Sequence, residues 1–401
     1  MPVSTRFLAV ILAALAAIGP FSIDTYLPAF HEIEADLGAS RYDVQLTLSA
    51  YLIPFALMVF WHGALSDSFG RRRIILAALG LYVLASVVCA LAPSIEWLWV
   101  GRALQGLCGG AGIVVGRAVV RDVLDGPQAQ KLMSSVVMMF AIAPAVAPII
   151  GGAILAVFPW EGIFWFLAML GAVLGVVTYF QLPETLPEDK RQSLHPANVA
   201  RGYSSVLRNG QFLLIAAAVA LNFNGFFLYV LSAPAFLVDH LGISPQGFGW
   251  LFIPVMIGMM VGAWISGRLA TRWTPMRTIL AGYICMGLAE CVNVLVNATL
   301  PPGLPQSILP LPFYVMGMSI AMPSLTLMAL DLFPARRGMV SSCQSFMQTA
   351  TNAVTAAVFA PLLWVSTLDL SLGMGAYLAL GFCAFLGVRT LRARAAPVTT
   401  A

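Results

Sequence analysis

From Phe7 onward the apolar residues of this chain come in runs of roughly 20, the length that crosses a ~30 Å hydrocarbon core as a helix, and short polar breaks separate them. The runs fall at 7–30, 44–66, 74–93, 97–118, 132–158, 160–181, 212–238, 248–270, 276–298, 308–330, 339–365 and 370–388. That predicts about twelve membrane-spanning helices. A β-barrel would need ~10-residue strands of alternating polarity, and stretches such as LLIAAAVAL and FLAMLGAVLGVV do not alternate. Arg6 ahead of the first run and Ala14-Leu15-Ala16 within it have the look of a secretory leader, but the apolar run continues to Phe30, so a retained first span is expected.

Polar residues order these spans. Between Pro183 and Gln211 lies the longest hydrophilic interval, which divides the spans six and six; we read residues 1–182 as one half, 183–211 as a linker on the cytoplasmic side and 212–401 as a second half. A faint internal echo supports duplication: Gly63-Ala64-Leu65-Ser66-Asp67 after span two corresponds to Gly267-Arg268-Leu269-Ala270-Thr271 after span eight. Basic residues collect before span one, after span twelve and beside the even-to-odd connections, as at Arg71–Arg73, Lys131, Lys190, Arg201 and Arg336–Arg337. Acidic residues such as Glu32, Asp36 and Glu161 occupy the opposite side. The positive-inside rule then places both termini in the cytoplasm.

Composition agrees: 60% of residues are hydrophobic and 9% charged, which no water-soluble core accommodates. The net charge of +4 is spread over many loops, so it reflects topology and gives no footprint for nucleic acid. The six cysteines lie in predicted spans without metal-ligand spacing, and the four histidines lie at or beyond span ends, so neither a metal, a cofactor nor a histidine relay is expected. HExxH and GxSxG are absent, and no loop has room for a signalling domain, which argues against a membrane enzyme or sensor.

Asp24 and Arg102 stand out among the ionisable residues inside spans. Asp24 lies about 10 Å of helical rise below the outer end of span one, and Arg102 about 9 Å inside the outer end of span four. Ionisable groups at such depth face a partner or a water-filled path. Glu290, in span nine, is a rival acid. A tight turn is predicted at GALSDSFGRRR, residues 63–73, where Gly63 and Gly70 permit close approach and Asp67 and Arg71–Arg73 supply charge. In span seven LNFNGFFLYV sets Asn222 and Asn224 beside Phe226, Phe227 and Tyr229; span ten adds Tyr314, Met316 and Met318. Aromatic and methionine side chains suit a pocket for varied apolar ligands, though such stripes also serve packing.

GALSDSFGRRR resembles the G-x-L-a-D-r-x-G-r-r loop of the major facilitator superfamily through Gly63, Leu65, Asp67, Gly70, Arg71 and Arg72, with Ser68 in place of the usual base. Arg102, Gln105 and Gly106 match the R-x-x-q-G of that family's drug/proton antiporters. APIIGG, with Pro148, Gly151 and Gly152, resembles the antiporter signature G-P-x-x-G-G except at Ala147; SIDTYLP, IFWFLA and PETLP most resemble the bicyclomycin-resistance and chloramphenicol-efflux branch.

The resemblance implies an all-α fold of twelve helices in two pseudo-symmetric six-helix halves, and proton-driven export of drug-like molecules across a bacterial inner membrane. Export of a small metabolite or amino acid is the alternative. It also implies roles. Asp24 would carry the proton with Arg102 balancing its charge. By side-chain chemistry, Tyr26, Asn222, Asn224, Phe227, Tyr229, Tyr314 and Met318 are expected to touch substrate. Gly63, Asp67, Gly70, Arg71, Arg72, Asp122, Pro148, Gly151 and Gly152 would govern conformation. The expected partners are a small-molecule substrate, protons and the lipid bilayer, with the protein acting as a monomer.

Overall fold

The computed structural model describes residues 5–123, 132, 136, 142–191, 203–269, 272–333 and 337–395. Among them every regular element is helical. In chain order the α-helices are α1 (Thr5–Asp24), α2 (Phe30–Asp36), α3 (Arg41–Phe69), α4 (Arg71–Ala90), α5 (Ile95–Gly109), α6 (Ala111–Val123), α7 (Ala143–Leu155), α8 (Glu161–Gln181), α9 (Gly210–Leu231), α10 (Gly249–Leu269), α11 (Pro275–Thr299), α12 (Pro310–Asp331), α13 (Arg337–Val354), α14 (Ala360–Leu363) and α15 (Thr367–Ala395). Among the described residues, eleven helical stretches are long and apolar enough to cross a membrane, and α7 is a shorter apolar helix. Large apolar side chains such as Leu84, Phe180, Leu288 and Leu362 stand on the surface, where lipid rather than water would cover them.

Several boundaries differ from the sequence expectation, each for a local reason. Span one runs to Asp36 because α1 resumes as α2 after a turn at Leu27–Ala29. Pro28 has no N–H to give the carbonyl four residues back, which belongs to Asp24, so the helix breaks at the carboxylate. Span two is longer at both ends. A capping box starts it, with the Asp43 N–H donating to Ser40 Oγ at 3.2 Å and the Ser40 N–H to Asp43 at 3.1 Å. The helix then runs through Gly63, Asp67 and Phe69, so the predicted tight turn shrinks to Gly70 alone. Spans seven and eleven carry π-helical turns, at Pro234–His240 and Thr355–Phe359, that periodicity does not reveal. Most of the first part of span five, from residue 133 to 141, lies outside the described residues, as do Lys131, Arg201, Ala270, Thr271 and Arg336.

Two compact units emerge, Met1–His195 with Ile243–Phe252, and Pro196–Gly242 with Ile253–Ala401. Residues 243–252, expected in the second half, thus pack within the first unit. In that unit α3 packs on α5, α4 on α5 and α8, and α1 on α6 and α7. Gly106 makes the α3–α5 approach possible, since a Cβ there would stand 2.1 Å from the Tyr51 carbonyl oxygen. In the second unit α9 packs on α12, α13 and α15, and α11 packs on α12 and α15. The Ser266 hydroxyl of α10 donates to the Ile320 carbonyl of α12 at 3.0 Å.

Candidate functional site

Asp24, the last residue of α1, is 4% exposed, and Arg102 on α5 is fully buried. No ion pair joins them. Instead, Nη1 of Arg102 donates to the Ser22 carbonyl and to Gln105 Oε1, each at 2.8 Å, while the guanidinium lies 4.9 Å from the Tyr26 ring centroid and 4.7 Å from that of Tyr51. Neutral acceptors and two aromatic faces thus hold the cation. Gln105 passes the chain on: Nε2 donates to Ser86 Oγ at 2.8 Å, Ser86 donates to the Tyr82 carbonyl at 2.8 Å, and the Tyr82 hydroxyl meets Ser22 Oγ at 2.6 Å. The expected direct charge balance is therefore replaced by a polar cluster drawn from α1, α3, α4 and α5, with Asp24 two residues from its Ser22 member and free of a paired cation. Tyr26, expected to touch substrate, is fully buried; its ring lies under Arg102 and its hydroxyl meets Thr47 Oγ1 at 2.9 Å.

The helix break at Asp24 receives α7. A Cβ on Gly151 would stand 2.1 Å from the Thr25 carbonyl oxygen, and one on Gly152 would stand 2.7 Å from that of Pro245. Adjacent glycines thus let α7 press on the residue after Asp24 with one face and on the start of span eight with another. Pro148, one turn earlier, is buried inside the same helix.

A second cluster forms where α3 meets α4. Gly70 has φ +101°, a conformation other residues rarely adopt. Arg71 Nε donates to Asp122 Oδ2 at 3.0 Å, and Nη1 reaches both Asp67 and the Ser66 hydroxyl. The Arg71 N–H, first in α4, donates to Glu184 at 2.8 Å, which places a carboxylate at a helix N-terminus. Thr185 adds a hydroxyl bond to Asp122 at 3.0 Å. Arg72 donates to the Tyr179 carbonyl and lies 5.0 Å over that residue's ring. Gly63 is different: its nearest neighbour, Val114, would stand at 3.8 Å from a Cβ, so space does not demand a glycine there.

In the second unit the expected substrate residues divide. The Asn222 amide donates to the Tyr283 hydroxyl at 2.8 Å, the Tyr314 hydroxyl donates to the Asn222 carbonyl at 3.2 Å, and the Tyr229 hydroxyl accepts from Asn293 at 3.1 Å. These three are fully buried and tie α9 to α11 and α12. Helix packing accounts for them. Asn224 instead joins a cluster with α13 and α15, donating to Asn352 at 2.9 Å and accepting from Thr355 at 2.7 Å, with Tyr377 meeting Thr355 at 2.7 Å. Phe227 stacks on Phe223, centroids 5.4 Å apart, and Met318 is buried in α12. Glu290 is 6% exposed; Asn293 donates to Oε2 at 3.4 Å and Oε1 has no hydrogen-bond partner.

Sequence reasoning missed Glu184 and Thr185, which were legible only as part of PETLP. It also missed Ser22 and Tyr51, which reach Arg102 from α1 and α3, and Tyr82, which meets Ser22 from α4. For Asn352 and Thr355 a signal existed. SSCQSFMQTATN, residues 341–352, is far more polar than a lipid-facing span tolerates, and it gives this span the lowest mean hydropathy of the eleven, at 1.2.

Known proteins agree with this architecture. A relative described as an uncharacterized MFS-type transporter, YdgK of Bacillus subtilis, is 39% identical over 263 residues, 65% of each chain. The bicyclomycin resistance protein homolog of Haemophilus influenzae is 28% identical across 98% of each chain. Among solved structures, a D-xylose-proton symporter superposes with a TM-score of 0.75 at 15% identity, over 96% of this chain and 97% of the other. The profile of the Major Facilitator Superfamily covers residues 10–356, and together with the twelve-helix fold and the arginine-centred clusters it identifies the chain as a multi-pass membrane transporter that belongs to this superfamily.

Proposed function

We propose that the chain is a proton-coupled antiporter that exports amphipathic, drug-like molecules across the bacterial inner membrane by alternating access, with both termini cytoplasmic. One observation carries this reading: a carboxylate, Asp24, buried at a helix break with no paired cation. Burying a carboxylate without a cation is costly, so whether Asp24 holds a proton depends on its access to water. Arg102 is the fixed charge of the neighbouring cluster and Asp24 the exchangeable one. Gly151 and Gly152 let α7 move against the Asp24 break, while the Arg71 cluster latches the opposite end of the first unit. Arg71 is buried, but its partners Asp67 and Asp122 keep 41% and 19% of their side-chain surface, so water can take up the carboxylates when the latch opens in each cycle. Substrate contact falls to Phe227 and Met318 beside the Asn224–Asn352–Thr355–Tyr377 cluster, whose amide and hydroxyl groups can exchange partners with a ligand, whereas Asn222, Tyr229 and Tyr314 tie α9 to α11 and α12. The protein acts as a monomer on a small molecule and protons, without a cofactor.

Support comes from the relative named for bicyclomycin resistance. A second reading, export of a small polar metabolite, is favoured by the amide and hydroxyl cluster of Asn224, Asn352, Thr355 and Tyr377. Drug susceptibility of an efflux-deficient bacterium tests the first reading. Wild-type protein raises tolerance to amphipathic antibiotics and Asp24→Asn does not. Tolerance unchanged by wild type, together with export of labelled amino acids from loaded vesicles, would transfer the assignment to the second.

A further inference from the structure

On the outer face of the first unit, α4 and α8 part to leave an open apolar groove with a volume of about 380 Å³. Leu76, Gly80 and Val83 line one wall; Gly171, Gly175 and Tyr179 line the other. The groove exists because of two glycines. A Cβ on Gly80 or on Gly175 would meet nothing within 4 Å, whereas helices that pack face to face fill such space. From Gly171 to Phe180 the groove follows about 13 Å of helix, roughly half of a ~30 Å hydrocarbon core and so the depth of one leaflet.

Charge marks one end only. Arg73, Leu76 and Gly80 recur at helical spacing, three and then four residues apart, so an arginine caps the stripe that forms the α4 wall. Arg73 is exposed and has no ionic partner among the described residues. Arg72, its neighbour, lies over the ring of Tyr179 at the same rim. The carboxylates of this region are already used: Asp67 and Asp122 bind the Arg71 guanidinium, and Glu184 binds the Arg71 N–H. The rim therefore presents uncompensated positive charge above an apolar slot.

We propose that this groove binds one anionic phospholipid of the cytoplasmic leaflet, an acyl chain lying along Gly80 and Gly175 and the headgroup phosphate on Arg73 with Arg72 beside it. The proposal rests on the topology in which the Arg71–Arg73 end faces the cytoplasm, and it is independent of what the protein transports. An arginine near an anionic headgroup strengthens binding roughly fivefold.

Native mass spectrometry of the delipidated full-length protein, titrated with phosphatidylglycerol and separately with phosphatidylcholine, tests it. The wild type is expected to retain one phosphatidylglycerol at least fivefold more tightly than phosphatidylcholine. Arg73→Gln should lower that preference about fivefold and still bind both lipids weakly. Gly80→Leu with Gly175→Leu fills the slot from the lipid side and should remove the tight lipid altogether. Equal retention of the two lipids by the wild type means non-selective annular lipid and overturns the proposal, as does a tight lipid that persists in the doubly filled variant. A preference unchanged in Arg73→Gln overturns the headgroup assignment and with it the site.

Discussion

Arg102 and Arg71 belong to the same unit and are both nearly sealed from solvent, yet they are held in opposite ways. Arg71 sits at the end of the bundle among carboxylates, bonded to Asp67 and Asp122 and anchored through its own N–H to Glu184. Arg102 sits deep in a span and bonds only a backbone carbonyl and an amide, between two tyrosine rings. The carboxylate nearest to it in sequence logic, Asp24, is left unpaired. A buried ion pair would fix both partners and make either charge costly to change. On the proposed reading, holding the arginine with neutral groups leaves the acid free to gain and lose a proton. In the proposed cycle the Arg71 cluster has no such need, since its carboxylates Asp67 and Asp122 are paired with a cation.

The largest effect expected from breaking this contrast is at the α7 contact. Gly151→Val places a branched side chain against the Thr25 carbonyl, where even one Cβ would stand 2.1 Å away, so export should fall more than about a hundredfold, the scale of a misplaced catalytic or binding group. Vesicle transport with quantified protein measures it, and a near-normal rate would mean that α7 does not control the Asp24 region.

Arg102→Lys comes next. Lysine keeps the charge but loses the planar fork and the stacking on Tyr26 and Tyr51, so a loss of roughly tenfold or more in export rate is expected. Arg71→Lys, which keeps a positive charge beside the part-exposed Asp67 and Asp122, should lose less. Equal losses at the two sites would erase the distinction drawn between them.

Within the second unit, Asn222→Ala removes a buried amide bond and should cost ~1–3 kcal/mol of stability while reducing export of all substrates alike. Asn224→Ala should instead reorder substrates, read from competition against one labelled compound. Smallest is Glu184→Gln, which keeps the hydrogen bond to the Arg71 N–H but removes the helix-terminus charge effect of ~0.3–1 kcal/mol. A modest fall in turnover with unchanged ligand affinity is the expected result in reconstituted protein.

The spans were legible because lipid requires long apolar helices, a demand written in consecutive residues. Asp24 and Arg102 were legible for the same reason, as ionisable residues where lipid forbids them. Their lack of a direct bond was not, because Ser22 and Tyr51 reach the arginine from two other helices and Tyr26 from the turn after α1. Pro28 could have been read further than a simple helix end: its missing N–H falls on the Asp24 carbonyl, so the break and the acid coincide. Asn222 shows the converse. Its place in LNFNGFFLYV resembles that of Asn224, and only the helix facing each one separates packing from a candidate contact.

Proton release on substrate addition to purified protein, measured across roughly pH 5 to 9, tests the central claim most directly. Wild-type protein should release protons in a pH-dependent way, and Asp24→Asn should release none while still exchanging substrate down its gradient. Undiminished release from Asp24→Asn would contradict the account and move proton coupling to another buried acid, with Glu290 first to be tested.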